Sequence, residues 1–161
     1  MAKITFPGLN DYELMISRLT KDVDSVAGKA IYAGAGIVAD AIKENIKALP
    51  IVRGYGTEKD PLPGGVTAPQ KAGLIDGMGI SPMQDDGGYL NVKIGFDGYN
   101  ATETEQYPFG QPNQLVARGV ESGTSWKKKS PFIRPAINAS KQRAEDEMAR
   151  ILDEEIEKVM K

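Results

Sequence analysis

The chain has no cysteine and no histidine. The first absence excludes a disulfide framework, thiolate nucleophiles and cysteine-bound zinc. The second removes the commonest general base and the commonest metal ligand, so a Ser-His-Asp hydrolase has no way to be assembled from this chain alone. Long apolar runs are missing as well: no stretch approaches the roughly 20 residues that span a bilayer. The opening MAKITFPG has no apolar signal core, so the expectation is a protein made in the cytoplasm with no membrane contact. A basic excess is also lacking: 20 Lys and Arg stand against 22 Asp and Glu, a net charge of −2. That argues against a dedicated nucleic-acid binder.

What remains is ordinary globular material, 161 residues with 40% apolar and 26% charged side chains. This length suits a single domain, 1–161, with one core and a radius of gyration of roughly 15 Å. Residues Lys3 to Phe6 alternate polar and apolar and end at the turn pair Pro7-Gly8, which reads as a short strand. Asn10 or Asp11 then caps a helix carrying Tyr12, Met15, Ile16 and Leu19 at helical spacing. Asp22 or Asp24 restarts the pattern, and a second, long helix runs from Val23 to Ala48 along Val26, Ala30, Ala33, Ile37 and Ala41. Pro50 stops it.

The middle of the chain is richer in breakers. Val52 to Pro69 holds four glycines and three prolines, a long loop of the kind that is usually functional or disordered. Gln70 to Ile75 reads as one helical turn. Met78–Met83 and Tyr89–Phe96 read as antiparallel strands around Gln84-Asp85-Asp86-Gly87-Gly88, with Leu90, Val92, Ile94 and Phe96 on the packed face. A second loop covers 97–113. Leu115 to Val120 is strand or helix, since periodicity does not separate them over six residues. Pro135 suits the first position of a last helix reaching Met160, with Ile137, Ala144, Met148, Ile151, Leu152, Ile156 and Val159 on one stripe. The class is α+β: a short strand, two N-terminal helices, a small antiparallel sheet and a long C-terminal helix. Each long helix measures about 39 Å, close to the diameter of a globule this size. Either they span the body or their ends project, and Ile156, Val159 and Met160 would then need a partner.

No chemical constellation stands out. Gly34-Ala35-Gly36 lies within a helix, and neither GxGxxG nor GxxxxGK[ST] occurs in its required context; close approach of another element is the better use for Gly34 and Gly36. Asp85-Asp86 and Asp153-Glu154-Glu155 read as solvated acidic surface, and Asp85, Asp86 and Asp97 lack calcium-loop spacing. An enzyme built on Tyr55 or Tyr89 with Lys71 is a distant reading. No catalytic set, metal or cofactor is expected. Trp126-Lys127-Lys128-Lys129 places an aromatic beside three cations. A solvated loop and a loop that meets an acidic partner or a passing DNA backbone are both open.

Residues 122–137 read SGTSWKKKSPFIRPAI. This resembles a signature of siphophage neck proteins, the small head–tail joining and tail-completion components of long-tailed phages. In that family a Gly-Thr-Ser precedes a variable, often basic, stretch and then Pro-Phe-(Ile/Leu)-Arg-Pro-Ala before the last helix. The matching positions here are Gly123, Thr124, Ser125, Pro131, Phe132, Ile133, Arg134, Pro135 and Ala136. The opening strand ending in Phe6-Pro7-Gly8-Leu9 and the helices closing at Ala48-Leu49-Pro50 fit the same order. The resemblance implies a non-enzymatic virion protein forming a homo-oligomeric ring, hexameric by family analogy, at the head–tail junction. Its partners would be itself, a connector or stopper, a tail terminator or tail-tube protein, and non-specifically the DNA passing through. The assembly residues expected on this basis are Gly123, Thr124, Ser125, Trp126, Lys127, Lys128, Lys129, Pro131, Phe132, Arg134 and Pro135. Arg134, near a helix start that disfavours cations, should pair with a carboxylate on a neighbouring element or subunit. The alternative is a stand-alone cytoplasmic ligand- or peptide-binding module with a concave pocket near the 51–69 loop.

Overall fold

A computed structural model describes residues 9–54 and 56–161, with side chains from 16 onward. The expected strand at residues 3–6 and Tyr55 lie outside the described residues.

The expected pair of N-terminal helices is a single one, α1 (Leu9–Ala48), about 60 Å long at 1.5 Å per residue. The break anticipated near Asp22–Asp24 does not occur. No glycine or proline lies between 9 and 27, so nothing there forces the chain to turn. The Thr20 hydroxyl sits mid-helix and donates back to the Ile16 carbonyl at 2.8 Å instead of capping a new helix. After Leu49 the chain turns at Pro50, and Lys71 Nζ caps the end by donating to the carbonyls of Lys47 (2.5 Å) and Leu49 (2.9 Å).

Next come α2 (Ala68–Gly77), β1 (Met78–Ile80), β2 (Gln84–Asp85), β3 (Leu90–Asn91), β4 (Ile94–Phe96), α3 (Asn113–Ser122) and α4 (Ile133–Met160). The chain is thus helix-rich α+β. Thr67 and Gln70 form a reciprocal capping box on α2, so the one turn expected there grows to a full helix. The two expected strands form an antiparallel hairpin in two short pieces, β1 with β4 and β2 with β3. Ser81 joins the two pieces, its N–H donating to the Lys93 carbonyl at 2.8 Å and its hydroxyl accepting from the Lys93 N–H at 2.9 Å, before Pro82, which has no N–H to continue the ladder. Leu115–Val120 resolves as helix.

The core joins the C-terminal half of α1 to α2, α3 and the start of α4, through Ile46, Val66, Leu74, Val120 and Phe132, with Ile94 and Phe96 packed against it. The Phe96 and Phe132 rings meet edge to face at 5.9 Å. α4 runs antiparallel along α1. Asn45 Nδ2 donates to the Phe132 carbonyl at 3.0 Å near one end, and Lys29 pairs with Glu155 at 2.5 Å near the other. Between them a Cβ at Gly34 would lie 2.6 Å from Met148; Gly34 is the close approach expected of it. Gly36 faces open space, contrary to expectation.

By length and composition Ile16–Ala48 contains an 18-residue window apolar enough to cross a membrane, with a mean hydropathy of 1.2. The expectation that no stretch comes near this is corrected: between Lys29 and Asp40 the chain carries Ile31, Ile37, Val38 and four alanines and no charge. In the fold, Val26, Ala30, Ala39, Ile42 and Ile46 of this stretch are buried. Past Val26 toward the N-terminus, α1 outlasts α4. Residues 16–25 are exposed except half-buried Leu19, and Ile156 and Met160 at the α4 tip are exposed too. Of the two alternatives for the long helices, the ends project.

Candidate functional site

The segment from Glu121 to Ala136 is a joint between α3 and α4. α4 starts at Ile133, two residues before the expected Pro135, and the residue before it, Phe132, makes no side-chain cap. The missing cap comes from the preceding helix. The Glu121 carboxylate accepts from the N–H groups of Phe132 (2.7 Å), Ile133 (2.8 Å) and Arg134 (3.0 Å). Pro135 has no N–H, so one carboxylate satisfies the donors of the first turn and sets its charge at the positive end of the helix dipole. Burial alone would raise the Glu121 pKa. The three backbone donors and the nearby Arg134 charge outweigh it and hold the carboxyl below its ordinary value. The carboxylate expected for Arg134 does lie on a neighbouring element, but it takes the backbone N–H. The exposed Arg134 guanidinium makes no ion pair among the described residues.

Gly123 ends α3 at φ +80°, donating to the Gly119 carbonyl at 2.8 Å, a conformation that suits glycine. Thr124 and Lys127 then exchange backbone hydrogen bonds at 2.9 and 3.3 Å, and the Thr124 hydroxyl accepts from the Trp126 N–H at 3.3 Å. Ser125 is exposed in this tight turn. The turn is stitched to the 51–69 loop: Leu62 N–H donates to the Trp126 carbonyl (2.8 Å) and Lys128 N–H to the Leu62 carbonyl (2.9 Å). A Cβ at Gly56 would fall 2.0 Å from that Trp126 oxygen. The three lysines therefore part company. Lys127 is half-buried, donates to the Gly65 carbonyl at 3.2 Å, and has its pKa pulled down by burial. Lys128 and Lys129 stay exposed, as does Pro131, while Phe132 is 1% exposed in the core.

Against this joint lies a cleft of about 970 Å³, walled by the 51–69 loop, the 97–112 segment, α3 and the Thr124–Lys127 turn. Val52, Leu62, Leu115, Val116 and Val120 give it an apolar floor, with Tyr107 and Trp126 among the lining. The 97–112 wall is no loose loop. Buried Asn100 donates to the Gln111 carbonyl (3.0 Å) and accepts from Thr102 N–H (2.9 Å), and buried Asn113 donates to the Asp97 carbonyl (2.8 Å). Gln70 bridges across to Gln111 at 2.8 Å. Inside this frame the Thr102 hydroxyl is buried without a partner, and Phe109 at the tip is 96% exposed.

Sequence reasoning missed Glu121, whereas the cleft lies beside the 51–69 loop, where the binding-module alternative expects a concave pocket. Glu121 had a signal: the stretch before the last helix offers Lys129-Ser130-Pro131-Phe132, and a helix start so poorly capped needs an acceptor from elsewhere. For the cleft the two long loops were the signal, and the contribution of α3 to its floor was not. Asp85 and Asp86 serve the hairpin turn, accepting from Gly88 N–H (2.6 Å) and Asn91 Nδ2 (2.9 Å). Among the described residues no three acidic side chains gather as a metal site, and Lys71 is engaged at the end of α1. The chain matches no family model, no curated protein and no solved structure.

Proposed function

We propose that the protein is a structural subunit of a tailed-phage neck, closing into a ring at the head–tail junction and continuing the DNA path between connector and tail. The observation that carries this reading is the architecture of the SGTSWKKKSPFIRPAI segment, on which the resemblance rests. Its residues divide into an inward frame, half-buried Gly123 and Lys127 with buried Phe132, and an outward set, Thr124, Ser125, Trp126, Lys128, Lys129, Pro131, Arg134 and Pro135. A rigid turn that presents an exposed tryptophan and two lysines is organised for contact, not for catalysis. A closed ring needs two different faces per subunit, and this outward set supplies one of them.

The test is mass measurement under native conditions together with negative-stain imaging, on the protein alone and with a purified connector. Rings of uniform size, alone or on the connector, support the reading. A protein that stays monomeric and ignores the connector overturns it. The cleft favours a second reading, a module that binds an extended peptide with an apolar side chain. Trp126 is the sole tryptophan and lines the cleft, so saturable shifts of its emission in a peptide screen would favour that reading.

A further inference from the structure

Phe109 is 96% exposed, the barest large apolar side chain among the described residues, yet the wall that carries it is tightly held. Asn100 N–H donates to the Gln111 carbonyl at 2.9 Å, Asn113 N–H to the Gly98 carbonyl at 3.0 Å, and Thr104 and Tyr107 exchange backbone hydrogen bonds at 3.0 Å. Gly110, at φ +113°, leaves no room for a side chain, since a Cβ there would meet the Asn100 carbonyl oxygen at 2.2 Å. An apolar ring kept in water on so rigid a frame has little left to order on binding. Beside it Tyr99 is 71% exposed and Pro108 is exposed too, and the three share a shallow recess. Gln106 and Tyr107 border both that recess and the cleft, while Phe109 does not line the cleft. One strip of chain therefore has the cleft along one side and an aromatic knob at its tip.

We infer that Phe109 of one copy seats in the cleft of the next copy, head to tail; the inference rests on the ring reading and names the subunit's second face. Shape and charge both choose a second copy as the occupant. The cleft, at about 970 Å³, has the volume of a large ligand pocket, ample for Phe109 with Pro108 behind it. Leu62, Leu115 and Val116 would receive the ring, and Tyr107 and Trp126 offer the edge-to-face contacts that an entering ring prefers. The cleft lining carries Arg118 and Lys127 against Glu105 alone. The wall from 97 to 112 carries three carboxylates and no cation, and two of them, Asp97 and Glu103, are exposed outside that lining. Arg118, Asp97 and Glu103 make no ion pair among the described residues. An acidic knob thus meets a cleft whose free charge is positive. Knob and cleft are unlike patches, so each copy uses one and offers the other. Such a contact repeats by rotation and generates a ring where the rotation closes.

Sedimentation velocity of the full chain over a concentration series tests it, with three variants. Phe109→Ala removes the knob and Leu115→Glu charges the cleft. Tyr89→Ala removes an aromatic that is 72% exposed on the hairpin and belongs to neither face. The expected result is a native chain that associates, with Kd raised about tenfold or more by each of the first two and unchanged by the third. All three should keep the native melting temperature. Mixed in equal amounts, Phe109→Ala and Leu115→Glu should pair as a dimer and stop there, because together they retain one intact knob and one intact cleft. Trp126 emission should shift as they pair. A native chain that is monomeric at every concentration overturns the inference, and recruitment by the connector would still leave the ring reading standing. Association that Phe109→Ala leaves intact overturns it too, assigning the ring to another contact. So does a mixture that stays monomeric, or Trp126 emission in Phe109→Ala that answers to unrelated apolar peptides and not to Leu115→Glu. Open filaments that Phe109→Ala dissolves support the knob and count against the ring.

Discussion

Glu121 shows how much rests on one side chain. Its carboxylate replaces the local cap that α4 lacks, and its pKa is held below the ordinary value of 4.5. A carboxyl depressed in the folded state contributes stability above its unfolded pKa, and that contribution is lost as pH falls through the folded value. Acid should therefore loosen the α3–α4 joint as pH falls below the ordinary carboxyl value of about 4.5. Glu121→Gln retains one acceptor but no charge. It should cost about 1–2 kcal/mol at pH 7, the usual worth of a good cap, and the variant should lose less on acidification. Urea denaturation across pH checks both, and a variant as stable as the native chain at pH 7 would sink the capping argument. Gly56 tests the other side of the joint. A methyl there meets backbone atoms, Trp126 O at 2.0 Å and Leu62 N at 2.6 Å, which have no flexible end to move aside. Gly56→Ala should destabilise by about 1–3 kcal/mol and shift Trp126 emission as the turn detaches.

At the scale of elements, the α1–α4 pair separates two glycines that look alike in sequence. Gly36 faces open space, so Gly36→Ala should stabilise the chain by about 1 kcal/mol through helix propensity alone. A Cβ at Gly34 would run into Met148 and lie 3.5 Å from the Ala144 carbonyl oxygen; a branched side chain, Gly34→Val, should push the helices apart and cost about 1–3 kcal/mol. Thermal melts that moved both variants in the same direction would contradict the packing. Periodicity made the long helices, the hairpin and the face of Ile94 and Phe96 legible, because each buries one stripe. It failed where local signals compete. Asp22 and Asp24 look like caps but lie in the interior of α1, where nothing forces the chain to turn. Leu115–Val120 was too short to separate strand from helix until the backbone bonds of α3 decided it.

The whole molecule is where the sequence says least about function. The cleft is built from segments far apart in the chain, and the Asn100, Gln111 and Asn113 network that stiffens its wall carries no spacing a reader would notice. The lysine triplet was visible, yet its division is a tertiary fact: Lys127 turns inward to the Gly65 carbonyl, leaving Lys128 and Lys129 for a partner. That division yields a quantitative expectation for the ring. A single subunit of net charge −2 with two outward lysines displaces at most about two counterions from duplex DNA, a log–log salt slope no steeper than about −2 and negligible affinity at physiological salt. A ring repeats the pair in every subunit around the channel, so the slope should steepen with assembly. It should fall back in the Lys128→Gln/Lys129→Gln double variant, which leaves Lys127 and the fold untouched. Fluorescence anisotropy with a short duplex at several salt concentrations reads this on subunit, ring and variant alike. If the variant ring binds duplex with the native slope, Lys128 and Lys129 do not face the DNA, and the turn that presents them is turned toward a protein neighbour.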